Sequence, residues 1–364
     1  MITELTFKSI KTLRDVRLPL SEGLTVIVGA NNSGKSNALA ALKFLGGVAQ
    51  QGNVAALESA GLVARGQSAA RLQVKGEFGP DKILYDLSIG SSESESVTIE
   101  SSGGRVTWSG SRLARSIGDG HGSSIGNVGY GEMLRVLGGN DQAIPFHHFY
   151  EAIANLQVLD LSVPSIRAEA SLEANPQLGP DGQNLAAVLD HLSNTQPDLM
   201  ESLLREIGPP TTNIKRLLTP SGRAPGTKVV GIQEQDGSVY RAGEISDGLL
   251  LFIAMSVAVQ LGGRQPSLIA IEEPERGIHP RRIRDVVDQF RRIAAKGTQV
   301  VMTTHSPILL DEFRDSPESV VIFDRDETGT HIHRLSDHPD WKEGLLRDQP
   351  LGDLWYSGLL GGAP

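Results

Sequence analysis

The chain has 364 residues, 39% hydrophobic and 21% charged, which is enough to bury a substantial core. Its 34 basic and 43 acidic residues leave a net charge of -9, so the chain as a whole repels nucleic acid and any DNA contact must come from a local patch. The lack of cysteine excludes disulfides, thiolate zinc sites and cysteine nucleophiles and fits a reducing cytoplasm.

The opening MITELTFKSI has no charged-then-apolar signal pattern, and the most apolar run, Gly248 to Leu261, is too short to span a bilayer. A cytoplasmic protein without membrane contact is expected. Residues 2–20 give two alternating runs, ITELTFKSI and LRDVRLPL, which predict paired strands at an antiparallel edge beside the segment that follows.

That segment is LTVIVGANNSGKSN. A strand, Leu24 to Val28, runs into a turn in which Gly29, Gly34, Lys35 and Ser36 meet the pattern G-x-x-x-x-G-K-[ST]. A helix follows from Lys35 to about Leu45, with Gly46 and Gly47 as its expected stop. Glycines let the backbone curl so that the N–H groups of Ala30, Asn31, Asn32, Ser33 and Gly34 face phosphate oxygens, and the helix N-terminus adds to that field. Lys35 is placed for the β- and γ-phosphates of ATP, Ser36 for Mg²⁺, and Asn37 closes the segment.

Val48 to Ser68, rich in Ala, Gly and Gln, reads as weakly patterned helix. Residues 71–108 switch to period two, RLQVKGEFG, KILYDLSIG, SVTIESSGG and RVTW, and predict a small antiparallel β-lobe. Ser109 to Gly131 has no periodicity and reads as a flexible loop. His121, His147 and His148 keep no metal-site spacing with a carboxylate, so surface or packing roles are expected. LQVLDLSV, Leu156 to Val163, reads as a core strand ending at Pro164. Helices are expected over Asn184 to Leu192 and Asp198 to Ile207, and Gly208-Pro209-Pro210 closes that stretch. Residues 213–242 return to strand alternation, with a hairpin about Asp236-Gly237.

Four features then fall close together. Ser246 and Gly248 open a strongly apolar helix. SLIAIEEPERGIHP is a buried strand that ends in Glu272 and Glu273. Arg281 to Ala295 places Ile283, Val286, Val287, Phe290 and Ile293 on one helical face behind Pro280. TQVVMTTHSPILL is a strand that delivers His305. Polar groups at strand ends beside a phosphate loop suit an open α/β sheet, where ligands bind beyond the carboxyl ends. There Glu272 is suited to Mg²⁺, Glu273 to activating the attacking water, and His305 to the γ-phosphate or that water.

Phosphate loop, Ser-x-Gly signature, strand ending Glu-Glu-Pro-Glu and strand ending in His, in that order, resemble the ABC-type ATPase heads of the SMC/RecF/OLD group. VGANNSGKSN and EEPERGIHP are especially similar to the short AAA-type ATPases near the OLD nucleases. The resemblance implies one P-loop NTPase head over residues 1–364, with a mixed central sheet and helices on both faces. The β-lobe and a helical insertion at 165–212, in place of a coiled coil, would belong to that head. It also implies a dimer of two copies around two ATP molecules, each Ser246 and Gly248 facing the γ-phosphate held by the other copy. Glu272 stands where family heads commonly carry Asp, and the glutamine expected near residue 163 is missing, because Gln157 sits at the strand's other end.

An OLD-type nuclease would continue with a nuclease domain, for which residues 306–364 are short. Asp324 and Asp326 mimic a metal pair, but a hairpin turn at Asp326 to Gly329 is the preferred reading. The tail LGDLWYSGLLGG is expected to pack on the head or dock a partner. The leading expectation is an ATP-hydrolysing switch for DNA engagement or for a separate effector protein, in DNA repair or anti-phage defence. The alternatives are an ATP-dependent scaffold with little hydrolysis and an ATPase with cryptic nuclease activity. DNA contact would use Arg281, Arg282, Arg284, Arg291 and Arg292, which a solvated amphipathic face explains equally well.

Overall fold

The structure, a computed structural model, describes residues 1–51, 61–90, 94–101, 104–111, 148–174, 176–207, 213–262, 268–344, 346 and 348–361. The chain divides into two units: 1–157 with 266–270 and 297–364, and 158–265 with 271–296.

The first unit carries two sheets. One is antiparallel, in the order β2-β1-β4-β5-β6-β7. Its strands are β1 (Ile2–Ile10), β2 (Leu13–Pro19), β4 (Ala69–Phe78), β5 (Asp81–Gly90), β6 (Ser94–Ser101) and β7 (Gly104–Ser111). The lobe expected at 71–108 is therefore the outer part of a larger sheet that the N-terminal pair begins. Ser109–Ser111, expected in the loop, belong to β7; the rest of that loop, with His121 and His147, lies outside the described residues. His148 is exposed at the start of a helical segment over 148–154.

The second sheet is mixed, in the order β17-β16-β3-β15-β14-β8. It comprises β3 (Leu24–Gly29), β8 (Gln157–Leu159), β14 (Leu268–Glu272), β15 (Gln299–Thr304), β16 (Val320–Arg325) and β17 (Thr330–Arg334). The chain passes to the second unit after Gln157 in β8 and after Ala270 in β14. Strand β3 is parallel to both β15 and β16, and β17 returns antiparallel to β16. All six residues of β3 and of β15 are buried, as expected of parallel strands covered on both faces. The two sheets are tied by Gln299, whose amide accepts from Ile2 N–H (2.7 Å) and donates to Ile2 O (2.7 Å).

Helix α1 spans Lys35–Gln51 and runs straight through Gly46-Gly47, which were expected to stop it. A Cβ at Gly46 would lie 3.3 Å from Leu156 O, and Val48 and Ala49 are buried beyond it. The glycine serves a close backbone approach, and burial of the next turn outweighs its cost of about 1 kcal/mol in a helix.

In the second unit, the strand expected over Leu156 to Val163 is only β8, and Val163–Arg167 form a short helix, α2. Pro164 lies in the first turn of α2, where its missing N–H costs nothing, so it opens a helix and does not end a strand. Helices α3 (Leu185–Thr195) and α4 (Pro197–Ile207) follow within a residue or a few of the expected positions. Strand β9 (Ala170–Ser171), paired with β11 (Thr227–Lys228), shows that 165–212 is not wholly helical. Strands β10 (Ile214–Leu218), β12 (Gly231–Glu234) and β13 (Val239–Arg241) form a three-stranded sheet with the expected turn at Asp236-Gly237.

Helices α5 (Asp247–Gly262) and α6 (Ile283–Ala294) complete this unit. Buried Gln289 on α6 donates to Ser256 Oγ on α5 (2.8 Å). Back in the first unit, α7 (Pro307–Asp311), α8 (Pro339–Lys342) and α9 (Leu351–Tyr356) follow. The tail packs within its own unit: Leu351, Leu354, Trp355 and Leu360 are buried, and Gly352 sits so close to Pro307 that a Cβ would lie 2.6 Å from its carbonyl. No helix among the described residues is long and apolar enough to cross a membrane.

Candidate functional site: a phosphate loop and its partners

In the first unit the loop after β3 turns on two positive φ angles, 64° at Asn32 and 110° at Gly34. It then enters α1 at Lys35, so the expected strand–loop–helix context is present. Lys35 is buried, and its Nζ donates to Gly29 O (2.6 Å) and Ala30 O (2.8 Å). An ammonium resting on the loop's own carbonyls can exchange them for phosphate oxygens without moving its stem. Asn31, Asn32 and Ser36 are exposed, while Ser33 is fully buried with no hydrogen bond at Oγ.

The register fixes what flanks the loop. Thr304 pairs with Val28, so His305 follows β15 at the level of Gly29. On the other side Phe323 pairs with Gly29, and a Cβ at Gly29 would lie 2.2 Å from Phe323 O. Only glycine permits that approach. His305 lies near buried Trp355, with ring centroids 6.4 Å apart.

Polar contacts from other segments also hold the loop. Arg325 Nη1 donates to Asn32 O (2.8 Å), Thr330 Oγ1 to Ser33 O (2.8 Å), and Asn37 Nδ2 to Thr12 Oγ1 (2.7 Å). Thr12 and Arg325 also line a cavity of about 510 Å³, with Lys11, Arg14, Arg65 and Gln67 among its walls. That size suits a small molecule.

In the β16–β17 hairpin Asp326 forms the turn expected at Asp326 to Gly329. Asp326 accepts from the N–H and hydroxyl of Thr328 (2.7 and 2.6 Å), from Gly329 N–H (3.2 Å), and faces His331 Nε2 (3.0 Å). The Thr328 hydroxyl above all, then His331 and the turn amides, hold its carboxyl well below the usual range. One carboxylate oxygen is thus spent on its own turn. Among the described residues no group of three or more His, Cys, Asp or Glu is placed to hold a metal ion.

In the second unit β14 ends at Glu272, and Glu273 adopts φ 44°, a strained value for a non-glycine residue. Glu273 Oε2 accepts from Arg276 Nε (3.2 Å) and Nη2 (3.0 Å), and Arg276 Nη1 reaches Asp160 Oδ1 (3.4 Å). Burial opposes the charge of the Arg276 guanidinium, but the Glu273 bond and the charges of Glu273, Asp160 and Glu272 outweigh it, so the group is held firmly protonated. Asp160 directly follows β8.

Ser246 is exposed immediately before α5, and its carbonyl accepts from Leu250 N–H (3.1 Å), the first turn of that helix. Gly248 sits against the turn after Glu273: a Cβ there would lie 2.5 Å from Gly277 O. The proposed basic stripe on α6 is largely neutralised. Arg282 contacts Asp285 (3.2 Å) and lies 4.0 Å over the Phe252 ring, Arg291 contacts Asp288 (3.2 Å), and Arg292 is paired with Glu206. A solvated, ion-paired face accounts for these arginines.

Residues 24–311 match the family described as "AAA domain, putative AbiEii toxin, Type IV TA system". The chain belongs to this family. Among solved structures it is similar to an SMC head bound to the C-terminal winged-helix domain of ScpA, with 17% identity, 94% of this chain and 99% of that one covered, and a TM-score of 0.55. It is also similar to an SMC head with an extended coiled coil, bound to the C-terminal domain of ScpA from Pyrococcus furiosus, at 14% identity, 95% and 98% coverage and a TM-score of 0.52. No curated protein matches. The fold is that of an ABC/SMC-type P-loop NTPase head, as the motif order implied, and such a head binds ATP.

Within this family framework, sequence reading missed Arg276 with Asp160, Arg325 on the loop carbonyl, and Arg167, which holds the segment before α5. Arg276 lies in the EEPERGIHP run, which was read for its glutamates alone, and Arg325 and Arg167 lie in no recognisable motif. The weak signal available was an acidic residue at a strand end and arginines at element ends, which many surface positions share.

Proposed function

We propose that the protein is an ATP-hydrolysing switch in which ATP joins two copies and hydrolysis releases them. The observation that carries this reading is the phosphate loop itself, with Lys35 docked on the Gly29 and Ala30 carbonyls at the end of a buried parallel strand. Gly29, Ala30, Asn31, Asn32, Ser33, Gly34 and Asn37 shape the loop, Lys35 exchanges its carbonyl partners for phosphate oxygens, and the nucleoside occupies the cavity lined by Thr12 and Arg325.

The Ser36 hydroxyl and the Glu272 carboxylate have the hard oxygen chemistry that Mg²⁺ takes and would hold it, with nucleotide phosphates supplying other ligands. When bound it neutralises phosphate charge. Glu273 accepts the proton of the attacking water, His305 orients that water or the γ-phosphate, and Ser246 and Gly248 of a second copy present a helix N-terminus to the same phosphate. The output is a separate effector protein. The solved SMC heads are bound to ScpA, and the family description names a toxin–antitoxin system, which supports a partner-controlling role. The paired arginines of α6 give DNA contact no support.

The second reading, ATP as a structural tie with little turnover, is favoured by the Arg276 hold on Glu273. Phosphate release by wild type and Glu273→Gln decides between them. The switch predicts nucleotide binding retained and turnover lowered about 10²–10⁴-fold in the variant. Equal turnover in both proteins removes Glu273 as the base, and no turnover in either leaves the tie.

A further inference from the structure

Arg167 ends α2, and its side chain is 35% exposed in the second unit. It donates from Nε to Ala242 O (3.0 Å), and from Nη2 to Ile245 O (2.8 Å) and to the Asp247 carboxylate (2.7 Å). Ala242 and Ile245 are buried, and between and beyond them Gly243, Glu244, Ser246 and Asp247 are exposed. One side chain thus collects both inward carbonyls of the turn and the first residue of α5. Serving three acceptors in a fixed plane requires the guanidinium fork, which a lysine ammonium lacks.

Helix stability alone does not account for this arrangement. Asp247 suits the N-terminus of α5 by itself, whereas a cation there opposes the helix dipole. What Arg167 adds is a fixed path for the chain into α5, with Ser246 facing outward and positive charge held behind it.

We propose that Arg167 is the positioning residue for Ser246, setting the segment 242–247 so that a second copy's ATP γ-phosphate meets the N-terminus of α5. This rests on the ATP-joined dimer proposed above. Arg167 touches no reacting atom in this scheme and acts only through the segment it holds.

The test compares Arg167→Ala, Arg167→Lys and Ser246→Arg, each with and without Glu273→Gln, for nucleotide affinity, ATP-dependent dimerisation by analytical ultracentrifugation, and turnover. Expected are ATP affinity within about two-fold of wild type, because the phosphate loop belongs to the other unit, and dimerisation and kcat lowered about ten-fold or more in Arg167→Ala, with Arg167→Lys restoring only part. Thermal melts identify any misfolded variant; if Arg167→Ala does not fold, Arg167→Lys and Asp247→Asn decide by the same split. Wild-type dimerisation and kcat in Arg167→Ala, while Ser246→Arg loses both, overturns the role of Arg167 alone. Dimerisation and turnover untouched by Ser246→Arg overturns the dimer reading as well.

Discussion

The two units hold their functional segments by different means. In the first, the phosphate loop takes its turns and its lysine contacts from its own backbone, with two positive φ angles and Lys35 resting on carbonyls five and six residues away, while Arg325 and Thr330 add bonds from far along the chain. In the second, Ser246 and Glu273 sit in segments held by arginines, one of which reaches 80 residues along the chain and the other 116. Segments held by ion pairs can exchange partners, which is what the switch proposed above requires.

The largest effect expected from this contrast is on Lys35. Lys35→Ala removes the ammonium proposed to meet the phosphates, and ATP affinity is expected to fall about 100-fold or more. Calorimetric titration with a slowly hydrolysed ATP analogue measures it, and near-wild-type affinity would remove the loop from the binding site. Because Lys35 is held locally, the second unit's hydrogen-exchange pattern without nucleotide stays as in wild type.

Two glycines test the contrast symmetrically. In Gly29→Ala the new methyl would lie 2.2 Å from Phe323 O, and in Gly248→Ala 2.5 Å from Gly277 O. Each meets backbone, which yields less readily than a side chain, so each costs about 1–3 kcal/mol of stability. Their functional readouts differ: Gly29→Ala weakens ATP binding, whereas Gly248→Ala leaves binding unchanged and lowers turnover. Equal loss of ATP binding in both variants would break the division of labour.

The same contrast explains what could be read from the sequence. Gly29 to Ser36 is a contiguous pattern whose geometry is dictated by the residues inside it, and strands β3, β14 and β15 announce themselves as apolar runs ending in polar groups. Long-range choices were hidden. Leu156 to Val163 has the composition of a strand, yet Pro164 is as good an opener of a helix as a terminator of a strand, and only packing decides. Gly46-Gly47 carry a stop signal that is overridden because Leu156 packs against the missing side chain. The pairing of Arg292 was hidden because its partner, Glu206, comes from a helix distant in the chain, whereas Asp285 and Asp288 lie within three residues of Arg282 and Arg291.

The smallest expected effect separates the units by pH. In the first, burial first and then the neighbouring His338 lower the pKa of His333, against the opposing charges of Asp324 and Asp337; His331 adds to the lowering. A folded-state pKa below the ordinary 6.5 means the unfolded chain binds the proton more readily, so stability falls as pH drops through 6.5 toward the folded value and is unaffected above it. In the second, Glu169 accepts from Thr227 Oγ1 (2.7 Å), Arg223 N–H (2.8 Å) and Ala224 N–H (3.1 Å). These bonds, the Thr227 hydroxyl first, bring it down from 4.5 to about 2. Its contribution is present above 4.5 and lost only as pH falls from there toward 2. Mild acid therefore loosens β17 of the first unit before it releases the 222–227 turn of the second. Hydrogen exchange at about pH 5.5, corrected for intrinsic rates, should show faster opening around His333 with no change around Thr227, and His333→Gln should flatten the first response. Simultaneous loosening of both segments, unaltered by that substitution, would mean that the two units respond to acid as one cooperative body.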